Sequence, residues 1–280
     1  MSAGRGPAWL FVPGDRPDRF AKAAASAADQ VICDLEDAVL PAAKEAARDH
    51  VVGWLSAGGS AWVRVNPSGS SWHRDDVLGL ARCAGLQGVV VPKVESATDL
   101  EAVREVLTVP VAPLIESAAG VERVAEIVTA DRVERLLLGT VDLAVDLGCD
   151  EESDVVTHAR CRLLLASRAA GRAAPVDGVT RALRDPAAAF ADAGRARREG
   201  FAGKLAIHPM QVEPIRSAFA PTPEEVAWAH GVVASAGSAA HGAVATSGLM
   251  VDAPVVERAR RILAVAGAGA AAHETAEDSD

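Results

Sequence analysis

Short apolar runs alternate along the chain with longer stretches whose apolar residues recur on one helical face. The runs are Trp9–Val12, Val31–Asp34, Trp62–Val65, Val89–Val91, Val111–Ile115, Leu136–Leu138, Ala174–Asp177 and Lys204–Ile207. Each is close to continuously apolar and ends near Gly, Pro or an acid, as parallel strands buried on both faces do. Helix signals lie between them. Ser96-Ala97-Thr98-Asp99 is a capping-box pattern ahead of Leu100–Leu107. Asp185-Pro186 offers an N-cap with proline at the first helical position, and Gly200 follows Arg195–Glu199 as a C-cap after a basic turn. Pro41–Leu55 reads as a further helix. Eight strands alternating with helices predict an α/β fold, a (β/α)8 TIM barrel. A doubly wound open sheet is the competing architecture. The Gly-rich dinucleotide loop that would favour it is absent, since Pro13-Gly14-Asp15-Arg16 is no G-x-G-x-x-G.

Beyond the eighth run, Thr222-Pro223-Glu224-Glu225 opens a helix near 223–236. A Gly/Ala/Ser stretch over 236–249 leads to Asp252-Ala253-Pro254 and a last helix to about 265. Residues 267–280 are low in complexity and end acidic, so a disordered tail is expected there. The predicted organisation is a barrel over 1–220, a C-terminal helical extension over 221–266, and the acidic tail.

Composition narrows the function. Of 280 residues, 50% are hydrophobic, which rules out a mainly disordered chain. The formal net charge of −10 argues against a nucleic-acid or anionic-membrane partner, though not against a local basic pocket. Trp9–Val12 is too short for the apolar core of a signal peptide, and no run approaches a membrane span. Cys33, Cys83, Cys149 and Cys161 lie far apart and are expected as buried thiols in a reducing cytoplasm.

In a barrel the loops after the strands form the reactive face. The polar residues there are Asp34, Glu36 and Asp37 after the second strand, Arg64 and Asn66 on the third, and Glu116 after the fifth. Asp142 follows the sixth, Asp177 ends the seventh, and His208 follows the eighth. Carboxylates gathered around one arginine are costly without a cation between them. Glu116 and Asp142, at the ends of neighbouring strands, would suit Mg²⁺, which takes one or two protein carboxylates and fills its octahedron with water and substrate oxygens. Zinc suits this oxygen-rich set less, with His208 its one nearby imidazole candidate. The alternative is a set of carboxylates capping helix N-termini. His208 reads as an organising residue. Lys93 as a Schiff-base lysine would need a depressed pKa and would be redundant beside a metal. Ser117 lacks the nucleophile-elbow pattern, and Trp54, Trp62 and Trp228 read as packing.

Eight motifs in order make a resemblance. Leu10-Phe11-Val12-Pro13-Gly14-Asp15-Arg16-Pro17, Asp34-Leu35-Glu36-Asp37-Ala38-Val39 and Val63-Arg64-Val65-Asn66-Pro67 are followed by Pro92-Lys93-Val94-Glu95 and Leu114-Ile115-Glu116-Ser117. Gly139-Thr140-Val141-Asp142-Leu143, Pro175-Val176-Asp177-Gly178-Val179 and Ile207-His208-Pro209 complete the set. Together they resemble the citrate lyase β-subunit-like family of acyl-CoA lyases, in the HpcH/HpaI aldolase/citrate lyase superfamily, over about residues 8–265.

The resemblance implies Mg²⁺ and the making or breaking of a carbon–carbon bond in a CoA thioester. It implies Glu116 and Asp142 as metal ligands and Arg64 as the substrate-binding and catalytic arginine, with Asp34, Glu36 and Asp37 supporting the metal and its waters. Phe11 and Lys22 fall where relatives contact the acyl-CoA. Gly248-Leu249-Met250-Val251-Asp252-Ala253-Pro254 resembles a motif of the longer members, whose Asp comes from a neighbouring subunit; Asp252 also reads as an N-cap ahead of Pro254. A homotrimer, or a hexamer built from two, is implied. Val141, Asp15 and Phe11 depart from the residues common in relatives.

The expected activity is a Mg²⁺-dependent lyase on malyl-CoA, citramalyl-CoA or a similar hydroxyacyl-CoA, giving an acyl-CoA and a 2-oxo acid. The alternatives are a thioesterase or synthase on the same scaffold, a citrate lyase β subunit, a CoA-independent aldolase, and a lapsed enzyme that binds acyl-CoA.

Overall fold

The computed structural model describes residues 5–238, 244–246 and 249–277. Gly248 of the C-terminal motif and residues 278–280 of the expected tail lie outside the described residues. The chain divides into two compact units, Met1–Ser217 and Ala218–Asp280.

The first unit is a closed parallel barrel of eight strands in sequence order. They are β1 (Ala8–Pro13), β2 (Gln30–Asp34), β3 (Ala61–Arg64), β4 (Leu86–Val91), β5 (Val111–Ile115), β6 (Leu137–Leu138), β7 (Val176–Asp177) and β8 (Gly203–Ala206). Helices follow the strands, and β8 pairs back onto β1, with Trp9 beside Leu205. The local signals act as expected. Asp99 and Ser96 form a capping box, Asp185 caps the helix Pro186–Glu199 through the Ala188 N–H, and Gly200 ends that helix at φ 106°. A left-handed residue there is what glycine supplies at lowest cost.

The barrel interior is filled by Trp9, Ile32, Trp62, Val90, Ala112, Leu114, Leu137, Val176 and Leu205, with at least one residue from every strand. Trp9 and Trp62 meet at 5.1 Å between ring centroids. Arg5 lies over the Trp62 ring and Arg135 over Trp9, and both guanidinium groups pair with Glu134, closing the N-terminal end of the barrel. Side chains alternate along a strand. The interior set therefore fixes which residues two positions further on look into the opposite mouth: Phe11, Asp34, Arg64, Glu116 and Gly139.

The second unit holds the helix Pro223–Ser238, a hairpin of β9 (Val244–Thr246) and β10 (Leu249–Val251), and the helix Ala253–Glu277. Thr222 and Glu225 form the reciprocal cap expected at 223. Ala229, Val232, Val251 and Ala259 form its core, with Trp228 packed against them. The last helix continues past 265, where its end was expected, to Glu277. Alanine is the strongest helix former and no proline follows Pro254, so low complexity here does not end the helix.

No helix among the described residues is long and apolar enough to cross a membrane. All four cysteines are free, but only Cys33 and Cys83 are buried; Cys149 is half-buried and Cys161 exposed, because they lie around the outer helices.

Candidate active site

Arg64 ends β3 and stands beside Asp34, the last residue of β2. Its Nε and Nη2 donate to Asp34 Oδ1 and Oδ2 at 2.7 and 2.6 Å, a bidentate fork that fixes the guanidinium plane. Asp34 also accepts from the Glu36 and Ala38 N–H groups. Burial alone would raise the Asp34 carboxyl, yet Arg64 and these N–H groups hold it below the usual range. Its oxygens accept from these donors, so Asp34 orients the arginine.

The remaining edge of Arg64 faces the acids. Nη1 lies 3.0 Å from Glu36 Oε2, outside hydrogen-bond geometry, and 4.0 Å from Asp37 Oδ2. Phe11 lies under the guanidinium at 4.7 Å from its ring centroid, a cation–π contact. Burial opposes the Arg64 charge, but Asp34, Glu36 and Asp37 outweigh it and raise its pKa.

Lys93 closes the acidic side. Its Nζ donates to Glu36 Oε1 at 2.6 Å and reaches Asp37 Oδ1 at 3.5 Å, while its N–H donates to Glu116 Oε1 at 2.7 Å. Burial would lower the Lys93 pKa, but Glu36, Asp37 and Glu116 raise it instead. A Schiff-base lysine needs the reverse.

Glu116, one residue past β5, is 5% exposed. Burial, then Glu36 and Asp142, push its carboxyl up to about 8, against the pull of the Lys93 N–H and Arg64. Among the described residues no donor reaches Glu116 Oε2. It packs over Gly139, where an added Cβ would fall 2.5 Å from Oε2 and 2.6 Å from the Glu116 Cβ. Asp142 sits in the first turn of the helix Thr140–Leu147, near enough to Glu116 to repel it. No hydrogen bond or ion pair to another described residue engages its side chain.

Two carboxylates with unspent oxygens, the buried Glu116 and the half-buried Asp142 that repels it, fit a hard divalent cation whose other positions are filled by water and substrate. No group of three or more His, Cys, Asp or Glu among the described residues offers a closed metal site. A test lies in the crowding at Gly139. Gly139→Ala is expected to displace the Glu116 carboxylate and to weaken divalent-cation binding, read by calorimetry, at least about tenfold, with about 1–3 kcal/mol of lost stability.

Other expected residues are placed elsewhere. Asp177 neighbours the inward-facing Val176, so it faces the helix layer, where Arg160 and Lys204 bind it. Asn66 and Asp76 pair with each other beneath the mouth. His208 accepts the Met210 N–H and Ser117 accepts that of Gly120, both as helix caps. Lys22 is exposed on the short helix Phe20–Ala24, and no hydrogen bond or ion pair among the described residues ties it to the acids. Asp252 caps the helix Ala253–Glu277, accepting the Val255 N–H at 3.2 Å. Lys93 is the participant that its residue type and position left unassigned. Its neighbour Pro92 marks a strand end, but nothing in the sequence signals a left-handed backbone there.

Comparison with known proteins gives the chain its relatives. The family described as HpcH/HpaI aldolase/citrate lyase matches residues 8–209. A citrate lyase subunit beta-like protein of Mycobacterium tuberculosis is 40% identical over 269 residues, covering 94% of this chain and 96% of the relative. A (3S)-malyl-CoA thioesterase of Cereibacter sphaeroides is 36% identical over 272 residues, covering 94% and 95%. Among solved structures, protein CitE of Mycobacterium tuberculosis in complex with magnesium, acetoacetate and coenzyme A superposes with a TM-score of 0.85. It is 39% identical, over 94% of this chain and 98% of that one. With a family match across the barrel and similarity over nearly the whole chain, this protein belongs to the HpcH/HpaI aldolase/citrate lyase family.

Proposed function

We propose that the protein is a Mg²⁺-dependent carbon–carbon lyase that splits a malyl-CoA- or citramalyl-CoA-type thioester into an acyl-CoA and a 2-oxo acid. The observation that carries this reading is the buried Glu116 carboxylate beside Asp142, pushed up to about 8 and facing a pinned Arg64 across the mouth. Glu116 and Asp142 would hold the ion. Bound there, it supplies a Lewis acid and a template for the carboxylate and adjacent oxygen of the 2-oxo acid.

The protein's own groups do the rest. Arg64 keeps Nη1 free of the Asp34 fork and offers it to charge that builds on the thioester oxygen. In cleavage a carboxylate of the Glu36–Asp37 pair takes the substrate hydroxyl proton. The C–C bond breaks, the hydroxyl carbon becomes the carbonyl of the 2-oxo acid, and the electron pair passes to the acyl-CoA enolate. A proton delivered to the enolate carbon completes the product. Asp252 is the proposed donor, supplied by a neighbouring copy in a homotrimer or a hexamer. Phe11 supports Arg64 from below, and Lys22 offers an ammonium for the CoA phosphates.

Asp252→Asn separates catalyst from cap, since Asn caps a helix as well as Asp. Turnover is expected to fall on the order of 10²-fold, within the usual range for a lost acid–base group, with an unchanged melting temperature. Turnover equal to the parent's, with the same melting temperature, would leave Asp252 as a cap alone.

Hydrolysis is the second reading, favoured by the thioesterase relatives at 36% identity. Purified protein incubated with malyl-CoA, citramalyl-CoA and citryl-CoA, with and without Mg²⁺, distinguishes the two. A lyase releases acyl-CoA and a 2-oxo acid without free thiol; a thioesterase releases free CoA and the intact hydroxy acid. No turnover of any thioester by folded, metal-loaded protein contradicts both.

A further inference from the structure

Lys93 has a backbone that its residue type disfavours. Its φ of 53° lies in the left-handed region, which costs a residue with a Cβ free energy that glycine avoids. Such strain persists where the surroundings over-determine it, and it gathers at functional sites. Here the left-handed turn lets one residue serve two elements at once. The main chain presents its N–H to Glu116 beyond β5, and the side chain crosses the mouth to Glu36 and Asp37 beyond β2. Glu36 is thereby held between two cations, with Lys93 on Oε1 and Arg64 beside Oε2. Among the described residues, Asp37, 56% exposed, is held by the longer Lys93 and Arg64 contacts. The Lys93 side chain is itself 45% exposed, so it stands at the mouth and is no part of the packed core.

We infer that Lys93 is a positioning residue. Its left-handed backbone fixes the Glu116 carboxylate through the N–H, while its ammonium aligns the Glu36–Asp37 pair against Arg64. The inference deepens the lyase reading and rests on it for the turnover readout alone. Removing the ammonium leaves the Glu116 hydrogen bond in place and removes a positive charge from the acidic wall. Metal affinity is therefore kept or increased while turnover is lost. A merely structural lysine would not produce that opposite pair of signs.

The test uses Lys93→Met, Lys93→Arg and Lys93→Gly in the full-length protein. Lys93→Met is expected to lower kcat at least about tenfold with KM changed less than about threefold, in the range of mispositioned groups. Its Mg²⁺ affinity by calorimetry should be equal to or tighter than that of the parent. Lys93→Arg should recover part of kcat, and Lys93→Gly should melt no lower than the parent, because glycine relieves the strain, yet be as slow as Lys93→Met. A Lys93→Met protein with parental kcat overturns the inference, as does one whose melting temperature falls in step with kcat. If the parent turns over no thioester, the lyase reading fails but the inference is still decided by a crystal structure of Lys93→Met. Glu36 and Asp37 displaced, with Glu116 in place, supports it; an unmoved pair overturns it.

Discussion

Glu116→Gln is expected to abolish Mg²⁺-dependent turnover while leaving the barrel folded. Lewis-acid stabilisation of developing charge is worth several kcal/mol, and about 4 kcal/mol is roughly 10³-fold in rate, so activity should fall by at least about that factor. Asp142→Asn should fall similarly. The stability effect has the opposite sign. The Glu116 carboxyl stands at about 8 in the folded protein against 4.5 for the free group, because it is buried and faces Glu36 and Asp142. Between those values the native state binds more protons than the unfolded chain. Metal-free stability therefore falls as pH rises from about 4.5 to about 8. Glutamine carries no such charge, so without metal at pH 8 the Glu116→Gln protein should melt above the parent, and at pH 5 the gap should close. Added Mg²⁺ should raise the melting temperature of the parent and not of the variant. Thermal melts at both pH values with and without Mg²⁺ check this; a variant with parental Mg²⁺ affinity contradicts the ligand assignment.

Asp177→Ala should produce the largest loss of stability, with little change in chemistry. Asp177 is completely buried against the helix layer, where Arg160 Nη1 donates to Oδ1 and Lys204 Nζ lies 3.3 Å from Oδ2. Lys204 also donates to the Gly178 carbonyl at 2.7 Å, and Arg160 to Glu199 Oε2 at 2.6 Å. Burial alone would raise the Asp177 carboxyl, but the two cations hold it below the usual range. Deleting the acid leaves two cations out of water with too little opposite charge, and breaking such a buried pair costs about 3–5 kcal/mol. Chemical denaturation should show that loss, with kcat unchanged in the fraction that remains folded. A variant as stable as the parent but inactive would return Asp177 to the reactive face.

The contrast between Asp177 and Glu116 shows how far the sequence is legible. Both acids end apolar runs, and both read as mouth residues. Strands buried on both faces are apolar on both, so the runs show where a strand is without showing which of its residues look inward. Parity decides it. Leu114 is inside, so Glu116 faces the mouth; Val176 is inside, so Asp177 faces the helices. The barrel itself was legible because eight runs with caps at Ser96 and Asp185 allow few other arrangements. The Arg64–acid pairing was legible from strand adjacency. The commitment of Asp34 to Arg64 and the left-handed Lys93 were not, because each depends on geometry between β2, β3 and β4 that no local pattern encodes.

The central claim is a divalent cation held between Glu116 and Asp142, opposite Arg64. A crystal of the protein soaked in Mg²⁺ and a 2-oxo acid tests it most directly. The expected result is octahedral density about 2.1 Å from an oxygen of each carboxylate, with the 2-oxo acid chelated on the side facing Arg64. Density for the ion elsewhere, or an empty mouth with both carboxylates turned away, would contradict it.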